Sequence, residues 1–119
     1  MKISDAEWTV MDILWTGKSF ALKEITSALA EVNGWSRNTV HTYLKRMEAN
    51  GMVSIDRNSK KPYAAAVSRE ECAREEREEL LSKVYQGSAG DLVVAFLKES
   101  MISAKERDRL RQMLDEMEV

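Results

Sequence analysis

Between positions 36 and 46 the chain carries Ser36, Arg37, Asn38, Thr39, His41, Thr42, Lys45 and Arg46, and no carboxylate before Glu48. These side chains suit the reading of double-stranded DNA. Arginine pairs with guanine, asparagine pairs with adenine, and a threonine methyl can touch the thymine methyl. Lysine and arginine also meet phosphates, which set register rather than sequence. The apolar residues Val40, Leu44 and Met47 fall at i, i+4 and i+7, with Tyr43 beside them, so the segment reads as a helix with one buried face. The DNA-reading groups then lie on or near the outer face. Asn38, Thr39, His41 and Thr42 are the candidates for base contacts. Arg37, Lys45 and Arg46 are the candidates for phosphate, and Ser36 caps the helix at the DNA-facing end.

Eleven residues further on, Arg57-Asn58-Ser59-Lys60-Lys61 places three cations in a short polar stretch. It is flanked by the β-prone Met52-Val53 and Ile55 and by 62–67, which reads as a hairpin. A basic hairpin tip beside a DNA-reading helix would sit against the phosphates or the minor groove. Arg57, Lys60 and Lys61 therefore join the candidate phosphate set.

Catalysis has little support in this sequence. There is one histidine and one cysteine, with no glycine-rich phosphate loop and no paired-carboxylate or metal-ligand spacing. No catalytic residue, metal or cofactor is expected. His41 has no nucleophile or second ligand near it in sequence, and Cys72 stands alone, so no disulfide framework is expected.

Three helices must position the candidate site. Ser4-Asp5-Ala6-Glu7 has the form of a capping box and opens the first. Trp8, Met11 and Trp15 recur at helical spacing, so the tryptophans read as packing residues rather than binding aromatics. The second helix is expected from about Ala21 to Glu31, with Leu22, Ile25, Ala28 and Leu29 inward. Asn33-Gly34 marks a turn, and the third helix runs from Ser36 to about Asn50, stopping at Gly51. Three helices and a hairpin in about 65 residues define a winged helix-turn-helix. The expected fold is mainly α, with that unit at 1–67 and an all-α dimerisation domain at 68–119.

The charge distribution agrees. The whole chain of 119 residues has a net charge of −2, yet residues 1–66 carry nine Lys/Arg against seven Asp/Glu. Residues 36–63 hold six basic side chains against two acidic ones, whereas 67–119 hold nine against thirteen. Clustered cations, not a basic whole, are what nucleic acid needs. No apolar run approaches the ~20 residues of a membrane span, and no secretory leader is visible, so a soluble, cytoplasmic protein is expected without membrane insertion.

After 68 the chain is helical in pattern. Ser68-Arg69-Glu70-Glu71 and Ser103-Ala104-Lys105-Glu106 are further capping boxes. About 50 residues of helix cannot build a core alone. Leu92-Val93-Val94-Ala95-Phe96-Leu97 is nevertheless too apolar for a surface helix. A second copy is the economical cover. Leu80, Val84, Tyr85, Leu92, Val93, Phe96, Leu97, Leu110, Met113, Leu114 and Met117 are the expected dimer interface. Packing of this half on its own winged domain is the competing arrangement. Two winged domains about a twofold axis call for a palindromic operator with half-sites about one turn, or a multiple, apart. The competing function is a winged-helix module that binds proteins without DNA.

Residues 35–47, Trp-Ser-Arg-Asn-Thr-Val-His-Thr-Tyr-Leu-Lys-Arg-Met, resemble the W-S-x-x-T-V-x-T-x-L-x-R-L signature of the penicillinase-repressor (BlaI/MecI/CopY) family. The opening Ile3-Ser4-Asp5-Ala6-Glu7-Trp8-Thr9-Val10-Met11, with Gly51-Met52-Val53 and Val67-Ser68-Arg69-Glu70-Glu71, is similar to the same family. The resemblance implies a homodimeric bacterial repressor that binds inverted-repeat operators through the winged domain and dimerises through C-terminal helices. In the β-lactam-responsive branch it implies a regulatory protease that leads to cleavage at an Asn-Phe bond in an apolar helix. Ala95-Phe96 holds the matching positions, without the asparagine. The copper-responsive branch carries a C-terminal cysteine cluster, which this chain lacks.

Overall fold

Ser4 opens the first helix by accepting the Glu7 N–H at 3.1 Å, while Glu7 Oε1 accepts the Ser4 N–H at 3.0 Å. This reciprocal cap starts α1 (Asp5–Leu14) in the computed structural model, which describes residues 2–117. The order that follows is α2 (Leu22–Val32), α3 (Arg37–Ala49), β1 (Val53–Ile55), β2 (Tyr63–Ala65), α4 (Arg69–Val84), α5 (Ala89–Lys98) and α6 (Ala104–Glu116). The chain divides into two compact units, 1–76 and 77–119.

In the first unit α1, α2 and α3 bury one face each. Val10, Met11 and Leu14 of α1, Ile25 and Leu29 of α2, and Val40, Leu44 and Met47 of α3 are fully buried. The i, i+3/i+4 spacing of these residues is what aligns them on one side of each helix. Met52, Val53 and Tyr63 close the core from the hairpin, and Cys72 does so from the first turns of α4. Burial pushes the Cys72 thiol up, and the nearby carboxylates of Glu75, Glu71 and Glu76 act the same way. Trp8 and Trp15 pack against this core half-buried, edge to face at 5.5 Å. Trp15 Nε1 donates to the Val67 carbonyl at 3.0 Å, which ties the segment before α4 to α1.

The second helix, Leu22–Val32, lies one residue on from the expected range of about Ala21 to Glu31. Ala21 has no side chain to cap it, so Glu24 Oε1 accepts the Ala21 N–H at 2.9 Å instead. Helix α3 ends where Gly51 adopts φ +81°, a conformation that favours glycine. The Met52 N–H then reaches back to the Met47 carbonyl at 2.9 Å.

The hairpin is antiparallel, with Val53 opposite Ala65, Ser54 opposite Ala64 and Ile55 opposite Tyr63. Alanine is a poor strand former, so this strand is held by context. Part of that context is an isolated bridge: Phe20 N–H donates to the Tyr63 carbonyl at 2.8 Å, and Tyr63 N–H to the Phe20 carbonyl at 3.0 Å. The segment between α1 and α2 thereby anchors the hairpin.

The second unit has no comparable core. Helices α5 and α6 contain no buried residue. Ser88 caps α5, and Ser103 and Glu106 cap α6 reciprocally at 3.1 and 3.0 Å. The backbone N–H of Ser103 holds the Glu106 carboxyl below its ordinary range. Val93, Leu97, Ile102, Leu110 and Leu114 line a groove of about 220 Å³ between α5 and α6.

Candidate nucleic-acid interface

Helix α3 departs from its five companions in one respect. Each of the others has an acidic residue in its first turn, whereas α3 has none and begins with Arg37. Carboxylates stabilise a helix N-terminus and cations do not. The first turn of α3 is thus arranged against local helix stability, in a way that suits an approaching anion.

The side chains proposed to read DNA lie on the exposed face of α3. Ser36, Arg37, Asn38, His41, Thr42, Lys45 and Arg46 are exposed, and Thr39 is half-buried. Several are already engaged. Ser36 Oγ accepts the Thr39 N–H at 3.3 Å and lies 3.1 Å from the Thr39 hydroxyl. Thr42 donates its hydroxyl to the Asn38 carbonyl at 2.9 Å, so that donor is already committed within the helix. Arg46 lies over the Tyr43 ring at 5.1 Å, and that ring stacks on Trp35 at 4.4 Å. Trp35, half-buried, therefore packs at the rim of the core and braces the start of α3.

Because the Ser36 hydroxyl is spent on the cap, Ser36→Ala is expected to cost about 0.5–2 kcal/mol in urea unfolding. Ser36→Asp should restore that stability. It should also weaken DNA binding, because it sets a carboxylate where phosphate would approach. Binding and unfolding measured on both variants separate the two roles.

The hairpin tip is built by its own polar side chains. Asp56 Oδ1 accepts the Asn58 N–H at 3.1 Å, and Ser59 Oγ accepts the Lys61 N–H at 3.1 Å. These turns fix the backbone that carries Arg57, Lys60 and Lys61, all exposed. Two of the three cations reach back to the helices. Arg57 forks onto Glu48 at 3.0 and 3.1 Å, and Lys61 Nζ lies 3.5 Å from Glu24 Oε1. The Arg57 guanidinium holds the Glu48 carboxyl below its ordinary range. The Ala21 N–H is the chief cause of the same shift at Glu24, with Lys61 adding to it. Glu48 and Glu24 were not among the residues singled out from sequence.

Helix and hairpin meet at a groove of about 290 Å³ lined by His41, Lys45, Ile55, Arg57, Pro62 and Tyr63. The two candidate surfaces, eleven or more residues apart in sequence, thus form one continuous face. Among the described residues no cluster of three His, Cys, Asp or Glu side chains could hold a metal ion. None of the described helices is long and apolar enough to cross a membrane.

The eleven C-terminal interface candidates belong to the second unit. Leu80, Val84, Val93, Phe96, Leu97, Met113, Leu114 and Met117 are exposed, and Tyr85, Leu92 and Leu110 are half-buried. Ala95 and Phe96 sit inside α5. The Ala95 carbonyl accepts the Glu99 N–H at 3.3 Å, and the Phe96 carbonyl accepts the Met101 N–H at 3.1 Å.

Three helices, a two-stranded antiparallel wing and a third helix that turns polar, cationic groups outward define a winged helix-turn-helix protein. The sequence profile of the penicillinase repressor family matches residues 3–116, and the chain belongs to that family. It is 28% identical over 115 residues to the methicillin resistance regulatory protein MecI of Mammaliicoccus sciuri, covering 96% of this chain and 94% of that one. It is 27% identical over 116 residues to the penicillinase repressor of Bacillus licheniformis, covering 97% and 91%. The family is one of transcriptional repressors, not of enzymes.

Proposed function

We propose that this protein is a cytoplasmic homodimeric repressor that occupies an inverted-repeat operator through α3 and the wing. The observation that carries the reading is the charge of α3: a cation at its start, no carboxylate in its first turn and one carboxylate, Glu48, in the whole helix. A merely solvated helix gains stability from early acidic residues and has no reason to exclude them. Asn38, Thr39, His41 and Thr42 read base edges. Arg37, Lys45 and Arg46 set the register at the phosphates, as do Arg57, Lys60 and Lys61 on the wing, and Ser36 caps the helix at that end.

The second copy is proposed from the apolar side chains of α5 and α6. Val93, Val94, Phe96 and Leu97 are each at least 40% exposed on one ten-residue helix, and Leu114 is 61% exposed. Soluble chains rarely leave such a patch uncovered. A twofold partner presents the same patch in return.

Release from the operator is proposed to follow a signal that disrupts this second unit. Proteolysis between Ala95 and Phe96 is one route, carried over from the family resemblance. Proteases bind extended backbone, so a bond held inside α5 requires that helix to unwind first. The regulatory protease, on this account, acts on an opened dimer.

Gel shift across a salt series, with a palindromic fragment from the protein's own upstream region, tests the reading. Binding should fall steeply with salt and should prefer that fragment over a scrambled one. Lys45→Ala should weaken binding to both fragments by a similar factor. It should also reduce the log–log salt slope by about 0.9 per protomer. A salt-insensitive or unselective protein is not this repressor.

A further inference from the structure

The wing carries three cations, yet two are committed to carboxylates of the helix-turn-helix. Arg57 Nη1 donates to Glu48 Oε2 at 3.1 Å and Nη2 to Oε1 at 3.0 Å, a two-pronged fork between the wing and the last turn of α3. Lys61 Nζ lies 3.5 Å from Glu24 Oε1 in the first turn of α2. Among the described residues Lys60 is the wing cation without a carboxylate partner. Glu48 is also the sole acid of α3, so the one charge that would repel DNA from that helix is the one that Arg57 occupies.

We propose that Glu48 and Glu24 are specificity-determining residues: they hold two of the three wing cations off the DNA backbone until a matched site competes for them. The proposal rests on the DNA-reading role of α3 given above. Non-specific affinity grows with the number of phosphates neutralised, because each releases a counterion. A cation already paired with an internal carboxylate releases none, and the carboxylate itself repels phosphate. Both effects lower affinity for any duplex regardless of sequence.

A matched site changes the balance. Once α3 is seated, phosphates stand beside the wing at a fixed distance. A phosphate presents the same pair of acceptor oxygens to the Arg57 fork as a carboxylate does. Exposed ion pairs are weak enough to exchange for such a partner. The Arg57 side chain is 65% exposed, so phosphate can reach it without unfolding the hairpin. Arg57 also lines the groove shared with His41 and Lys45, so a phosphate seated there would stand beside it.

Fluorescence anisotropy of the full-length protein on its own upstream palindrome and on a random duplex of equal length tests this. Glu48→Gln keeps the shape and removes the charge. It should tighten binding to the random duplex by about 3- to 10-fold near 0.1 M salt and steepen the log–log salt slope by about 0.9 per protomer. Palindrome affinity should rise less, so the ratio between the two duplexes should fall. Glu48→Gln combined with Arg57→Gln should return random-duplex binding to the wild-type level. Glu24→Gln, on the other side of the wing, should shift the ratio in the same direction and carries the test should Glu48→Gln fail to fold. A folded variant with unchanged slope and ratio would overturn the latch alone, and so would one that loses palindrome binding without gaining random-duplex binding. A wild-type protein that binds neither duplex would overturn the DNA-reading role itself, and the latch with it.

Discussion

The double substitution Phe96→Glu and Leu114→Glu is expected to convert the protein to monomers and to lower its affinity for a palindromic operator by about 100-fold or more. The two side chains are 41% and 61% exposed in the single chain, and neither belongs to the buried core of the first unit. In a twofold interface each appears twice. Complete burial of an apolar side chain of this size contributes about 1.5–3 kcal/mol, of which pairing gains the share that the single chain leaves exposed. Four carboxylates in their place would repel one another across the twofold axis. The effect on DNA follows from linkage: a dimer brings its second winged unit to the operator at high effective concentration, whereas a monomer does not. Affinity for an isolated half-site should be nearly unchanged, because α3 and the wing lie in the other compact unit. Sedimentation and anisotropy on whole and half operators check both parts. A variant that sediments as a dimer would place the interface elsewhere.

Leu44→Ala should produce the largest loss of stability in the first unit. Leu44 is fully buried on α3, in one core cluster with Met11, Leu14, Ile25 and Leu29. Truncating it removes apolar contacts and leaves a cavity, at a cost of about 2–5 kcal/mol. For a unit of this size that corresponds to a fall in Tm of about 10–30 °C. The operator complex should weaken as well, although Leu44 faces the core and not the proposed DNA-reading side. Thermal unfolding followed by circular dichroism, with and without operator, measures both. A fall under 3 °C would mean that the α3 core packs differently from this description.

Most of the helical framework was legible because its determinants are local. The boxes Ser4/Glu7 and Ser103/Glu106 each lie three residues apart, and they close as that spacing requires. Val40, Leu44 and Met47 announce a buried face by spacing alone, and all three are fully buried. The same spacing turns the polar residues of α3 outward.

Contacts that depend on the chain returning to itself were not legible. The Phe20–Tyr63 bridge spans 43 residues and the Trp15–Val67 hydrogen bond 52. No local pattern foretells either, yet they hold the wing and the entry to α4 in place. Ala64 and Ala65 are strand residues only because Ser54 and Val53 pair with them across the hairpin. The commitments of Arg57 to Glu48 and Lys61 to Glu24 were also hidden, since charge counting along the segment treats all three wing cations alike. Ser36 has a double nature of the same kind: a polar residue at the edge of the proposed DNA-reading surface whose hydroxyl is spent on its own helix.

The central claim is that two copies of α3 and its wing read a palindrome. Hydroxyl-radical footprinting of the protein on DNA from its own upstream region tests this most directly. Two protected patches related by a dyad are expected, their centres about 34–36 Å or a multiple apart along the duplex. Scrambling one half-site should erase both patches at operator-limiting protein concentration. A single asymmetric patch, or uniform protection indifferent to sequence, would contradict it.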